Sequence, residues 1–104
     1  MNIIIVGAGN IGSLLAQTIC NLGHKVTIIE KNFEAASSFP RGRVNSGVLK
    51  VIHSDGSTAS AMIEADVANA EVFIAATGKD SLNGLTAQKA KTIFGIKQVM
   101  TVVK

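Results

Sequence analysis

Short apolar runs alternate along this chain with stretches whose apolar residues fall at helical spacing. Asn2-Ile-Ile-Ile-Val6 is a short apolar run that reads as a first strand. Ser13–Leu22 then reads as a helix, with Ile11, Leu14, Leu15, Ile19 and Leu22 at helical spacing and Gly23 placed to stop it. Lys25-Val-Thr-Ile-Ile-Glu30 is a second, β-branched strand ending on an acid. Asn32 is placed to cap a short helix over Phe33–Ser38, which Pro40 and Gly42 end, and the polar, glycine-bearing Phe39–Gly47 stretch reads as a surface loop. Val48–His53 is the third strand. Ser54-Asp-Gly-Ser57 is turn chemistry leading into a helix over Thr58–Ala65, with Met62 and Ile63 turned to the core. Glu71–Ala76, apolar almost throughout, predicts a central fourth strand. A helix from Asp80 or Ser81 to Phe94 would bury Leu82, Leu85, Ala90, Ile93 and Phe94, with Gly95 just past its end, and Gln98–Val103 is a fifth strand.

Five strands alternating with four helices predict a Rossmann-like, doubly wound α/β sheet of parallel strands in the order 3-2-1-4-5, with helices on both faces. In such a sheet a ligand lies at the carboxyl ends of strands one and four, where the strand order reverses. Gly7–Gly12, Glu30–Asn32 and Thr77–Asp80 converge there, and Ser54–Ser57 lies at the same edge.

The first loop carries the chemistry. Gly7-Ala-Gly-Asn-Ile-Gly12 joins strand to helix, the context that makes this glycine spacing informative. Gly7 permits the tight turn, Gly9 lets the backbone approach a pyrophosphate, and Gly12 lets the helix pack closely on its strand. Free N–H groups and the positive dipole end of the helix then form a phosphate site. Asn10 is the loop residue placed to reach a terminal phosphate; being uncharged, it helps a triphosphate less than an arginine would. Glu30, eighteen residues beyond Gly12, stands where a carboxylate accepts the ribose hydroxyls. An acid there repels a 2′-phosphate and favours NAD(H) or an adenine nucleotide over NADP(H), a preference that neighbouring Lys31 weakens slightly. Asp55 either meets an adenine edge or caps the following helix. Thr77 can donate to phosphate, Asp80 reads as a helix cap, and Lys79 reads as a solvated loop lysine.

Composition removes other classes. One domain accommodates 104 residues, and 47% hydrophobic with 16% charged residues is a packed globular chain. The net charge of +3 is scattered, with Arg41-Gly-Arg43 its only cluster, and there is no Trp or Tyr to stack bases, so no nucleic-acid partner is expected. No stretch reaches the roughly 18 apolar residues of a membrane span, and no direct membrane insertion is expected. The single Cys20 reads as a small buried hydrophobe, in keeping with a reducing cytoplasm. His24 and His53 lack partners at metal-ligand spacing, so no metal site is expected. A dehydrogenase needs a proton donor and a substrate pocket. Absence of Tyr excludes a Tyr/Lys pair, these residues provide no substrate domain, and Ser13-Leu14 follows Gly12 where a phosphate-loop lysine would stand. The nucleotide reads as bound and not consumed, and no catalytic residue is expected.

Several of these segments together resemble the N-terminal nucleotide-binding domain of the Trk/Ktr potassium-uptake regulators, the TrkA-N or RCK (regulator of conductance of potassium) domain. The resemblance rests on Ile-Ile-Val-Gly-Ala-Gly-Asn-Ile-Gly12, Gly23-His-Lys-Val-Thr-Ile-Ile-Glu30, Ser54-Asp-Gly-Ser57, Ala70-Glu-Val-Phe-Ile-Ala-Ala-Thr77, Asp80-Ser-Leu-Asn83 and Lys91-Thr-Ile-Phe-Gly-Ile-Lys-Gln-Val99, in that order along essentially the whole chain. It implies a cytoplasmic gating subunit, peripheral to the inner face of the cell membrane, that binds NAD(H), ADP or ATP, assembles as a homo-oligomer and couples nucleotide state to a membrane-embedded potassium channel or transporter. Its loop contacts map onto Gly7, Gly9, Asn10, Ile11 and Gly12, its ribose acid onto Glu30, its adenine-side aspartate onto Asp55 and its fourth-strand threonine onto Thr77. Asn10 stands where many members have an arginine, which favours NAD or ADP over ATP, and Asn32 replaces a frequent second acid. Residues 1–104 are expected to form one such domain without the family's usual final helix and strand, which serve dimerisation. The alternative from another class is the cofactor-binding half of an NAD-dependent oxidoreductase; a third is a Rossmann interaction module that binds nothing.

Overall fold

A computed structural model describes residues 1–102. Strands β1 (Asn2–Val6), β2 (Lys25–Glu30), β3 (Leu49–His53), β4 (Val72–Ala75) and β5 (Gln98–Thr101) form one sheet in the order β3-β2-β1-β4-β5. Every pairing is parallel, with Ile5 level with Ile28 on one side and Ile74 on the other. The expected order and pairing are those observed. Parallel strands covered on both faces need apolar residues at consecutive positions, and β1 and β4 supply them.

Side-chain alternation divides the core into two layers. Ile3 and Ile5 pack with Val26, Ile28, Leu49, Val72 and Ile74 on one face. Helix α1 (Asn10–Asn21) covers that layer through Ala16 and Cys20, with Phe39 beside it. The short helices α2 (Phe33–Ala36) and α3 (Arg41–Asn45) complete that side, and Arg43 of α3 donates to Gln17 O and Asn21 Oδ1 of α1. Ile4 and Val6 pack on the other face with Ile29, Ile52, Phe73 and Ala75. Helices α4 (Ala59–Glu64) and α5 (Asp80–Thr92) cover it, together with a 3-10 turn over Val67–Asn69. Fully burying a side chain the size of Phe73 or Ile5 contributes about 1.5–3 kcal/mol, so the two layers supply the main favourable term.

The helices bury only part of what their apolar spacing singles out. Met62 and Ala90 are buried as expected, Leu15, Ile19 and Phe94 pack half-buried against the core, and most of the rest turn outward. Gly12, Ala16 and Cys20 face the sheet from α1, whereas Leu14 and Leu22 are 68% and 70% exposed and Ile11 is exposed as well. Close approach explains it: a Cβ on Gly12 would stand 2.0 Å from the Gly7 carbonyl oxygen, so this helix lies too near its strand for leucine between them. Likewise α5 turns Asn83, Thr86, Ala87 and Ala90 inward and leaves Leu85 and Ile93 exposed, and Ile63 of α4 is exposed beside fully buried Met62. Cys20 is buried and unpaired, as its small size suggested.

Boundaries also shift. Helix α1 begins at Asn10, ahead of the expected Ser13, with Gly12 inside its first turn. Part of the expected Phe39–Gly47 surface loop is helix α3, and Phe39 itself is buried. Pro40 precedes that helix with φ −57°, a conformation that starts a helix as readily as it ends one. Asn32 caps α2 as expected, accepting from Ala35 N–H at 3.0 Å. Val103, placed in the fifth strand by its apolar character, lies outside the described residues. Among the described residues no helix is long and apolar enough to cross a membrane.

Candidate functional site

At the carboxyl end of the sheet the strand-to-helix loops enclose a cavity of about 440 Å³. Gly7 and Gly9 form its floor, Glu30 and Lys31 one rim, Asp55, Gly56 and Ser57 a second, and Thr77, Gly78 and Lys79 the opposite wall. Val6, Ile29, Ala35 and Leu82 make it largely apolar between these polar edges. A hollow of about 240 Å³ at the opposite edge of the strands, beside Lys25, Lys50 and Asp66, takes no part in it.

The three glycines of the first loop do separate work. Gly7 has φ +109°, and a Cβ there would meet the Ala76 carbonyl oxygen at 2.5 Å, so the turn that lays β1 against β4 admits no side chain. Gly12 is closed by Gly7. Gly9 faces open space instead, with nothing within 4 Å of where its Cβ would be. It occupies the cap position of α1, where among the described residues no side-chain cap bond is made to the N–H groups that begin this helix. Open room before an uncapped twelve-residue helix is the geometry that receives a phosphate.

Glu30 is held by the backbone. Its Oε1 accepts from Ala8 N–H and its Oε2 from Asn32 N–H, both at 2.6 Å, so one carboxylate joins the glycine loop to the loop after β2. Each oxygen keeps a further lone pair, which leaves acceptors for two ribose hydroxyls. Lys31 shares this rim, and its carbonyl oxygen lies 3.0 Å from His53 Nε2.

Asp55 does not cap α4. Thr58 does, accepting from Ala61 N–H at 3.2 Å, while Asp55 Oδ1 accepts from the Ser57 hydroxyl at 2.6 Å and Ser57 N–H at 3.0 Å. The Ser57 hydroxyl and then its N–H hold the Asp55 carboxyl below its ordinary 3.8; partial burial opposes them, and Lys31 and Lys89 assist weakly. Asp55 is therefore an anionic acceptor on the cavity rim.

Thr77 lines the cavity with its hydroxyl already engaged, donating to Asn83 Oδ1 at 2.5 Å and lying 3.2 Å from Lys79 O. Asp80 is not the cap of α5 but its first residue; Lys79 holds the cap position in extended conformation. Of the residues singled out in the sequence, Gly7, Gly9, Glu30, Lys31, Asp55 and Thr77 meet around one cavity. Asn10, Ile11 and Gly12 lie in the first turn of α1 and do not line it.

Three further residues shape the site. Gly56 is buried, and its Cβ would strike Val6 Cγ1 at 2.4 Å, which seats this loop on the end of β1. Lys89 Nζ donates to Ser57 O at 2.7 Å, tying α5 to the same loop. Asn83 holds the Thr77 loop from beneath. The turn sequence Ser54-Asp-Gly-Ser57 signalled Gly56; nothing local marks Lys89. Among the described residues no group of three His, Cys, Asp or Glu could hold a metal ion.

A family model described as the TrkA-N domain matches residues 3–104. The chain belongs to this family. The Trk system potassium uptake protein TrkA homolog of Pyrococcus abyssi is 38% identical over 104 residues, covering 100% of this chain and 43% of that protein. The chain thus spans less than half the length of that TrkA relative. Two solved structures share the fold. The Shewanella denitrificans Kef CTD in AMP bound form superposes with TM-score 0.78 at 15% identity, covering 97% of this chain and 58% of that one. The GsuK channel bound to NAD superposes with TM-score 0.75 at 20% identity, covering 99% and 18%. At these identities the two show a shared fold alone.

Proposed function

We propose that this TrkA-N domain binds an adenine nucleotide in the crevice, NAD(H) foremost with ADP or ATP as alternatives, and serves as the sensing part of a potassium-uptake regulator. The observation that carries the reading is the pairing of open space at Gly9, before the uncapped start of α1, with the Glu30 carboxylate across the cavity. A diphosphate fits the first and ribose hydroxyls the second. Gly7, Gly9, Asn10, Ile11 and Gly12 would form the phosphate loop, Glu30 and Lys31 the ribose rim, Asp55 the adenine side and Thr77 the far wall. The domain is proposed as a non-enzymatic switch, in which the nucleotide is bound and not consumed.

The name of the TrkA relative supports a part in potassium uptake. The partner proposed on that basis is a membrane-embedded potassium channel or transporter, with this domain on its cytoplasmic side and the complete subunit proposed as a homo-oligomer. Within that subunit residues 1–104 would be a single nucleotide-binding domain. Calorimetric titration with NAD, NADH, ADP and ATP tests the core of the reading. At least one is expected to bind more tightly than millimolar, about −4 kcal/mol. Glu30→Ala should weaken that binding at least about tenfold, the loss of roughly one charge-assisted hydrogen bond. Absence of binding by all four nucleotides overturns the proposal.

A further inference from the structure

Helix α5 buries an amide that the nucleotide site itself does not explain. Asn83 is 1% exposed. Its Oδ1 accepts from Thr77 N–H at 2.8 Å and from the Thr77 hydroxyl at 2.5 Å, while its Nδ2 donates to Thr77 O at 3.2 Å and to Val102 O at 3.0 Å. Two donor hydrogens and two acceptor lone pairs are thereby all used. Three of these bonds go to the crevice wall. The fourth reaches the residue at which the backbone leaves β5, whose own N–H donates to Ala75 O at 2.9 Å.

A staple for the Thr77 loop alone would need no arm to Val102. We infer that Asn83 is a positioning residue that couples occupancy of the crevice to the placement of the chain leaving β5. The inference rests on the nucleotide reading above. A phosphate oxygen beside Thr77 competes with Asn83 Oδ1 for the threonine hydroxyl. When the hydroxyl turns to the ligand, the buried amide loses one of its four partners and re-seats, and its bond to the Val102 carbonyl loosens. Buried amides in a low dielectric do not tolerate half-made networks, so the two ends respond together. By linkage, whatever holds the Val102 carbonyl in one placement changes nucleotide affinity by the same factor.

Amide hydrogen exchange followed by NMR on isotope-labelled chain, with and without saturating ADP, reads the coupling. On ADP addition the Asn83 side-chain amide signals are expected to shift, and the Val102 amide to exchange about fivefold faster, the lower end of ordinary coupling factors. In Asn83→Ala, which lacks the tie beneath the Thr77 wall, ADP should bind more weakly, and at saturating ADP the exchange of Val102 should no longer depend on it. A purely structural staple would lower the stability of that variant and leave the ADP-dependent difference in place, which overturns the inference. If Asn83→Ala does not fold, the native chain decides alone: bound ADP with unchanged Asn83 and Val102 signals also overturns it. Calorimetry on the same sample separates the two proposals. No ADP binding removes the nucleotide reading and this inference with it, whereas binding without a Val102 response removes only the inference.

Discussion

Gly9, the cap of α1, and Gly12, in its first turn, sit three positions apart and answer to different constraints. A methyl group on Gly12 would lie 2.0 Å from a backbone carbonyl oxygen, where nothing flexible can give way. Gly12→Ala is therefore expected to cost about 3 kcal/mol or more, measured by urea unfolding, because α1 must lift off the sheet. Gly9 has φ −72° and open surroundings, so Gly9→Ala should cost under about 1 kcal/mol as a poorer cap. The same methyl would occupy the phosphate space, and nucleotide affinity should fall at least about tenfold, a loss of about 1.4 kcal/mol in binding. Equal effects of both variants on stability would remove the distinction between packing and binding glycines. Asp55 offers a pH test. Its carboxyl is held below 3.8 by Ser57, so its contribution to stability is present above that value and is lost as pH falls through the lower folded-state value. Ser57→Ala should raise the Asp55 pKa toward the ordinary value, as followed by carboxyl NMR. Its stability deficit relative to the native chain should close as the solution is acidified below 3.8.

Among the elements, α5 does more than cover a sheet face. Its start frames the Thr77 wall through Asn83, and one and a half turns later Lys89 reaches Ser57 on the opposite rim at 2.7 Å. One rigid helix thus sets the width of the crevice. Lys89→Met keeps most of the aliphatic stem and removes the tie. It is expected to lower stability by about 1 kcal/mol in chemical denaturation and to weaken nucleotide binding by releasing the Asp55 loop. Unaltered affinity in a destabilised variant would confine Lys89 to the fold. Helix α1 shows the complementary case, since Ile11, Leu14 and Leu22 face outward while glycine, alanine and cysteine make the close contact, with Leu15 and Ile19 half-buried beside them.

For the whole molecule, ligand binding and folding are linked. A nucleotide that binds only the folded chain stabilises it by about 2.7 kcal/mol at a hundredfold excess over its dissociation constant. For a domain near 100 residues, each kcal/mol moves the melting temperature by about 4–8 °C. A rise of roughly 10–20 °C is therefore expected in thermal melts with the right nucleotide, and Glu30→Ala should lose most of it. A melt indifferent to all four nucleotides would agree with failed calorimetry and leave the crevice without a ligand.

Sheet order, parallel pairing and the positions of the loops followed from the sequence alone, because buried parallel strands require continuous apolar runs and crossovers require helices between them. The glycine spacing and the distance from Gly12 to Glu30 are likewise local facts, and with Asp55 and Thr77 they mark where the crevice lies. What only the tertiary structure decided depends on partners remote in the chain. Helical spacing names which residues share a face, yet which face meets the sheet was set by how near Gly12 let α1 approach Gly7. Asn83 bonds across nineteen positions to Val102, and Lys89 across thirty-two to Ser57. No local pattern encodes such a bond, because it exists only where the fold has brought a buried donor and acceptor together and left them no water.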